Sequence, residues 1–180
     1  MHKLLISAAI LGLSIPTIAA ATPTGVTGTV TVDGAVAARC QFGAGGAALI
    51  NIPELSDTTT GELNPSTVNG QSAQLQGWCN GTNSTMTVQA DPLLNAGSAP
   101  SGFSNHVDFT ATATAHPTGG DKSASDTTTV AGAGTPVTVG IFSGNIDVVL
   151  SLAASNPAAP AKMLAGAYAG DVLVTLTPGI

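Results

Sequence analysis

Hydrophobic and polar residues alternate along several short segments of this chain. In residues 26–36, VTGTVTVDGAV, every even position is valine or glycine, and every odd position from Thr27 to Asp33 is polar. This period of two is typical of a β-strand with one buried face and one solvated face. The segment precedes the first cysteine and the rest of the domain, so its pattern raises the question of which surface covers the valines.

Later segments alternate in the same way and are separated by turn signals. The pattern predicts strands over residues 73–79, 86–90, 107–115, 137–141, 146–152 and 172–176, with a further short strand at 127–130. Asn80-Gly81 favours a tight turn between the first two of these strands, and Pro92 ends the second. Many short strands at this spacing indicate an all-β, antiparallel β-sandwich, with helix limited to a short turn in a loop.

The first 21 residues have the organisation of a secretory signal peptide. Residues 1–3 form a short basic region, residues 4–18 are mainly apolar, and Ala19-Ala20-Ala21 provides an A-x-A cleavage site. A membrane span needs about 20 apolar residues, and this run is shorter. We therefore expect an exported protein without stable membrane insertion, whose mature chain begins near residue 22.

Composition and charge narrow the classes of partner. The chain has many Thr, Val, Ala and Gly residues, which suit strands and turns better than exposed helix faces. Its formal net charge of −6 becomes −7 when Lys3 is removed with the signal peptide. The basic residues that remain are Arg39, Lys122 and Lys162, whereas a nucleic-acid surface needs clustered Lys and Arg. We expect no nucleic-acid binding.

Cys40 and Cys79 are the two cysteines of the chain. In an exported protein, a single pair predicts a disulfide, because the periplasm and the cell exterior are oxidising. Closing a loop of this length stabilises a fold by about 4 kcal/mol in the loop-entropy description. The alternative is a pair of free buried thiols. A zinc site is disfavoured, since the chain has no C-x-x-C motif.

Few residues suggest catalysis or metal binding. His106 and Asp108 are two apart on a predicted strand and share a face, and with Ser104 they form the basis of a hydrolase alternative. No G-x-S-x-G motif accompanies them, and His116 has no evident partner. The DKSASD stretch at 121–126 is predicted to be a solvated loop rather than a calcium site. We predict no catalytic residue, no metal site and no cofactor.

Two surfaces could cover the valines of residues 26–36. The strand could close the sandwich of its own domain, or it could be added to the sandwich of a neighbouring molecule, as in β-strand addition. Glycines within a strand often mark a close approach by another backbone or a bulky side chain. An exposed strand of this composition would be prone to aggregate. Periodicity alone leaves both possibilities open.

The order of these features resembles the subunits of chaperone–usher pili, in particular the archaic class that contains spore coat U-like domains. The resemblance covers the mature chain and is carried by four segments: VTGTVTVDGAVAARC (26–40), GWCNGTNSTMTV (77–88), FSNHVDFTATATA (103–115) and AGAYAGDVLVTLT (165–177).

The resemblance implies an immunoglobulin-like sandwich over residues 37–180 that is incomplete and lacks its final strand. It implies that residues 22–36 are a donor-strand segment, with donor positions at Val26, Gly28, Val30, Val32 and Gly34. It further implies that the disulfide joins the first strand to the second. The receiving groove, which first contacts a chaperone, would be lined by Val172, Val174 and Leu176.

These features together predict a structural subunit of a surface pilus that supports adhesion or biofilm formation. Its expected partners are identical or related subunits, a periplasmic chaperone and an outer-membrane usher, and its expected route runs through the periplasm to the cell surface. The alternative is a self-contained secreted β-sandwich that binds a glycan or matrix, with residues 26–36 in its own sheet.

Overall fold

The computed structural model describes residues 25–44, 46–156 and 161–180. The predicted signal peptide at 1–21 lies outside the described residues. The chain divides after Ala35 into two units. The second unit, Val36–Ile180, contains all of the strands and the helix described below.

The second unit is built almost entirely from β-strands. They are β1 (Cys40–Phe42), β2 (Ser72–Cys79), β3 (Thr85–Ala90), β4 (Leu93–Leu94), β5 (Phe103–Ser104), β6 (His106–Val107), β7 (Phe109–Ala115), β8 (Lys122–Thr127), β9 (Val137–Thr138), β10 (Phe142–Leu152), β11 (Lys162–Met163) and β12 (Val172–Thr177). One helical turn, α1 (Pro65–Val68), lies between β1 and β2. The helix is capped by Asn64, whose side chain accepts a hydrogen bond from Ser66 N.

Two sheets form the sandwich. The larger has the strand order β1-β2-β10-β7-β8 and is antiparallel throughout, and the smaller has the antiparallel order β12-β3-β9. Two short pairs accompany them, an antiparallel β4–β6 pair and a parallel β5–β11 pair. The predicted all-β fold is therefore confirmed, as is the short helical turn in a loop. No helix within the described residues is long and apolar enough to cross a membrane.

The alternation of each strand fixes which residues enter the core. In β7, Phe109 and the three alanines are buried, while the threonines between them lie on the outer face. Small alanines in one sheet leave room for larger side chains from its neighbours. Large buried residues include Met86 and Val88 of β3 and Ile146 of β10.

One predicted loop is a strand. Residues 121–126 were expected to form a solvated loop, but β8 begins at Lys122, and the predicted strand at 127–130 starts where β8 ends. The strand was not predicted because a charged residue, Asp126, occupies one of its inward positions, where it is 6% exposed. Its Oδ2 accepts a hydrogen bond from Ala90 N at 2.9 Å, which compensates the buried carboxylate for its lost water.

Two further boundaries differ from the predictions. The strand predicted at 137–141 is shortened to β9, and β10 begins at Phe142 rather than at residue 146. Ile141 is 57% exposed, so the apolar alternation of this region does not continue into the core. A positive φ of 67° at Gly140 turns the chain between the two strands, a conformation that glycine adopts readily.

Candidate strand-binding groove

One side of the sandwich is closed by contacts between its two sheets. Asp126 of β8 binds the main chain of β3, as described above, and Gly134 N donates a hydrogen bond to Val88 O at 2.8 Å. A side chain at Gly134 would collide with the carbonyl oxygen of Ser125, so glycine is needed for this close approach. The edges of β8 and β3 are thereby tied together.

The opposite side of the sandwich is open. It lies between β1 and β12, which are the outer strands of the two sheets on this side. β1 pairs with β2 and β12 pairs with β3, and no main-chain hydrogen bond within the described residues joins β1 to β12. This side therefore has two neighbouring strand edges with unpaired main-chain groups.

The inward-facing residues of β12 also direct their main chain toward this open side. Asp91 N donates a hydrogen bond to Asp171 O, just before β12 begins. In an antiparallel ladder, hydrogen-bonded pairs alternate with non-bonded pairs, so the odd-numbered residues of β12 bond to the main chain of β3. The N–H and C=O groups of Val172, Val174 and Leu176 consequently point away from β3. The side chains of these three residues face inward, and Val174 is 7% exposed, whereas Leu173 between them is 60% exposed.

The first edge has the same arrangement. Gly43 N donates a hydrogen bond to Gln76 O, so the odd-numbered residues at this edge bond to the main chain of β2. The N–H and C=O groups of Cys40 and Phe42 therefore face the open side. Both side chains are half-buried against the core. Farther along the chain, residues 47–53 make no main-chain hydrogen bond with the described residues. Their main-chain groups are therefore also unpaired within the described residues.

A groove of about 790 Å³ lies at the wide end of the open side, before β12 begins, and is lined by neither β1 nor Val172, Val174 and Leu176. Residues 49–56 line its first lip, and residues 162–170 line most of its second lip. Tyr168 stands in the second lip, where its Oη lies 2.9 Å from the main-chain oxygen of Ser104. Burial of this hydroxyl raises the pKa of Tyr168. The hydrogen bond of its hydroxyl holds the Tyr168 ring in place.

The two lips run in opposite directions. At the narrow end, Leu176 of β12 packs against Gly77 of β2, since a Cβ built on Gly77 would lie 3.1 Å from Leu176 Cδ1. Gly77 is also the β-sheet partner of Phe42 in β1. At the wide end, residues 49–56 face residues 162–170. The first lip therefore runs from the narrow end to the wide end, and the second lip runs back. A strand between them would be parallel to one edge and antiparallel to the other.

The predicted donor segment is exposed. Residues 25–39 belong to no strand, and the exposed fractions are 100% for Val26, 87% for Val30 and 87% for Val32. No atom lies within 4 Å of a Cβ built on Gly28 or Gly34. The alternation predicts a strand here, but a strand forms only when another main chain pairs with it.

The predicted disulfide is confirmed. Cys40 and Cys79 are bonded to each other, and they lie directly opposite in the β1–β2 register. The bond therefore ties the short edge strand β1 to its one neighbour in the sheet. It is located at the narrow end of the open side, where β1 begins.

His106 and Asp108 share a face, as their spacing predicts. His106 Nε2 lies 2.9 Å from Asp108 Oδ1, and Thr128 Oγ1 donates to the same oxygen at 2.7 Å. Ser104 Oγ donates instead to the main-chain oxygen of His106 at 2.9 Å. A nucleophilic serine has to bond the imidazole ring, so this geometry gives the hydrolase alternative no nucleophile–base pair.

The hydrogen-bond partners of His116 were not predicted from the sequence. Its Nδ1 lies 2.8 Å from Asp121 Oδ1, and its Nε2 lies 2.9 Å from Asp147 Oδ2. Carboxylates only accept hydrogen bonds, so both contacts are hydrogen bonds when both ring nitrogens carry protons. The bonds to Asp121 and then to Asp147 raise the pKa of His116, and the bonds from His116 and from Gln74 lower the pKa of Asp147. No local signal could reveal Asp147, which is brought near by the β10–β7 pairing.

This cluster predicts a pH-dependent stability. Because the pKa of His116 is raised in the folded state, His116 stabilises the fold fully at pH values below its ordinary pKa of 6.5. This stabilisation is lost as the pH rises through the raised folded-state pKa. Asp147 contributes above its ordinary value of 3.8 and loses its contribution as pH falls through the lowered one. We expect the wild type to exceed His116→Gln in urea midpoint at about pH 5.5, with the difference shrinking by about pH 8.5. A difference of equal size at both pH values would contradict this role.

Within the described residues, no three His, Cys, Asp or Glu side chains are grouped so that they could hold a metal ion. Asp121 and Asp126, which flank the stretch predicted to be a solvated loop, have different environments, since one binds His116 and the other is buried. Compared with models of known protein families and with curated proteins, this chain matches none of them.

Proposed function

We propose that this chain is a structural subunit of a surface pilus that polymerises by donor-strand exchange. In this proposal, residues 22–36 of one copy fill the groove of the next copy. The donor positions are Val26, Gly28, Val30, Val32 and Gly34, and the receiving strand is β12, with Val172, Val174 and Leu176 facing the donor.

The observation that carries the proposal is the open side of the sandwich. Unpaired main-chain groups on two facing edges can bond to an added strand, and half-buried apolar side chains beneath them can be covered by it. The same chain has an exposed segment with alternating valines and no paired strand of its own. Strand addition satisfies both features at once, because main-chain bonds give affinity and alternate side chains give specificity.

The energetic gain from this exchange is large. Burying a valine fully contributes about 1.5–3 kcal/mol, so the four valines at 26, 30, 32 and 36 would contribute roughly 6–12 kcal/mol before the cost of ordering the segment. Left uncovered, a flat apolar edge and an apolar segment are both aggregation hazards. Mutual coverage between copies removes both hazards.

The proposal includes further partners and a location. A periplasmic chaperone would occupy the groove first, and an outer-membrane usher would exchange it for the donor segment of the next subunit. The fibre would then project from the cell surface and support adhesion or biofilm formation. With one sandwich, the chain suits the shaft of such a fibre.

The alternative is a self-contained secreted module that binds a glycan or matrix. It requires residues 26–36 in the sheet of their own domain, whereas residues 25–39 belong to no strand. Sugar sites commonly present several aromatic rings, and the outer face of the larger sheet carries Trp78 with polar neighbours such as Gln76 and Ser143. The pilus subunit is therefore the better-supported function.

Deleting residues 22–36 tests the proposal. The mature chain and the deletion variant are expressed in a periplasm and run on SDS gels with and without boiling. We expect a boiling-sensitive ladder from the full chain and none from the deletion variant, because the deletion removes the donor and leaves the groove. A ladder that survives the deletion, or a full chain that remains monomeric, would refute donor-strand exchange.

A further inference from the structure

The wide end of the groove carries one charge on each lip. Among the residues that line it, Glu54 lies on the first lip and Lys162 lies on the second. Glu54 Oε1 accepts hydrogen bonds from Ser56 N and Ser56 Oγ, which lower the pKa of Glu54 and keep it negative. The Lys162 stem lies over Gly61, and Lys162 is paired with Glu62 in an isolated antiparallel β-bridge. No carboxylate of the described residues lies within 4.0 Å of its ammonium group. The second lip therefore offers a positive charge opposite a negative one.

The donor segment carries one charge of its own. Within residues 22–36, Asp33 is the charged residue, and it follows Val32 on the polar side of the alternation. When the valines face the groove floor, the Asp33 side chain lies at the rim, where it can contact a lip. It would be repelled by Glu54 and attracted by Lys162.

The edges themselves favour one direction for the incoming strand. β12 provides six residues, whereas β1 provides three, so most of the new ladder forms with β12. Antiparallel ladders are slightly more stable per residue than parallel ones. A donor antiparallel to β12 places Val26 toward Leu176 at the narrow end and Asp33 at the wide end. A donor parallel to β12 would place Asp33 at the narrow end, near Arg39, which precedes β1.

Glycine placement agrees with the antiparallel direction. If Val26 lies opposite Leu176, the register places Gly34 at the level of Tyr168. The Tyr168 ring is held by the hydrogen bond of its hydroxyl, so a residue without a side chain fits where the donor backbone passes it.

We propose that Asp33 of an incoming copy pairs with Lys162 of the receiving copy, and that this pair sets the direction and register of the donor strand. The inference rests on the proposed function and adds a specificity determinant to the same groove. Charges at the rim of an interface act mainly on the rate of association and on its salt dependence. The pair therefore selects the correct register early, before the valines are fully buried.

A charge exchange in the full chain tests the pair. The variants are Lys162→Glu, Asp33→Lys and the double variant, with Lys122→Glu on β8 as a matched charge change away from the groove. We expect each single groove variant to form the boiling-sensitive ladder about threefold to fivefold more slowly at low salt, because exposed ion pairs are of modest strength. The double variant and Lys122→Glu should form it at nearly the wild-type rate, and the differences should fade in high salt.

The outcomes separate this inference from the function on which it rests. If removal of residues 22–36 abolishes the ladder but the double variant is no faster than the single ones, the pairing of Asp33 with Lys162 is wrong and strand exchange stands. If Asp33→Lys is rescued by Arg39→Asp rather than by Lys162→Glu, the donor runs in the parallel direction and the proposed register is wrong. A ladder that persists without residues 22–36 overturns both proposals.

A synthetic peptide of residues 22–36 tests the same pair without relying on the stability of the chain variants. Added during assembly of the wild-type chain, it should compete for the groove and shorten the ladder. The Asp33→Lys peptide should compete less well with the wild-type chain and better with the Lys162→Glu chain. Equal competition by both peptides on both chains would overturn the proposed pair.

Discussion

Val32→Asp is expected to abolish the boiling-sensitive ladder, whereas Thr31→Asp should leave it nearly intact. Val32 is on the apolar face of the donor segment and is 87% exposed in the single chain. In the groove, the substitution forfeits about 1.5–3 kcal/mol of valine burial and places an unpaired carboxylate in an apolar site, at a cost of several kcal/mol more. The combined loss corresponds to binding that is roughly a thousandfold weaker.

Thr31→Asp is the matched control because it adds the same charge at the neighbouring position of the same segment. Its side chain is on the polar face, so it remains in water when the valines are buried. The measurement is the ladder on unboiled gels, with total export checked on boiled ones. If both variants lose the ladder equally, charge rather than strand alternation controls assembly, and the donor face is assigned wrongly.

Removing the disulfide with Cys40→Ala and Cys79→Ala is expected to lower the free energy of unfolding by about 2–5 kcal/mol. The bond closes a separation of 39 residues and holds an edge strand of three residues, β1, to β2. With its other edge unpaired, β1 has little else to anchor it in the sheet. Because the strand forms one edge of the open side, its loss should also weaken assembly.

Urea unfolding of wild type and double variant, each with and without reductant, measures this contribution. Reductant should destabilise the wild type to the level of the double variant and leave the double variant unchanged. Hydrogen exchange should show loss of protection first in β1 and in the facing part of β2. A stability difference below about 1 kcal/mol would show that β1 is held mainly by its packing.

Local patterns predicted the longer strands except β8, whose inward positions include a charge, and they missed the short strands β1, β4, β5 and β11. The β7 sequence alternates alanine and threonine, and its buried face follows directly from that period. β8 was predicted as a loop, because Asp126 at an inward position resembles solvated sequence. Only the neighbouring β3, whose Ala90 N binds the carboxylate, makes that position acceptable in the core.

The sequence also predicted the disulfide, because an exported chain with one pair of cysteines usually bonds them. It predicted the shared face of His106 and Asp108 as well, because they are two residues apart on one predicted strand. It could not predict the bonds of His116, because Asp147 is 31 residues away and reaches it only through the pairing of β10 with β7. Local spacing places residues on faces of a strand, whereas contacts between strands depend on register.

By itself, the sequence determined that the fold is all-β, that Cys40 and Cys79 pair, and that residues 26–36 have one apolar face. Each follows from a local property, namely strand period, residue type or the spacing of alternate side chains. Only the tertiary structure decided that one side of the sandwich is closed by Asp126 and Gly134 while the other leaves β1 and β12 unpaired. An open edge is a property of strand order, which long-range pairing sets and which no local pattern contains.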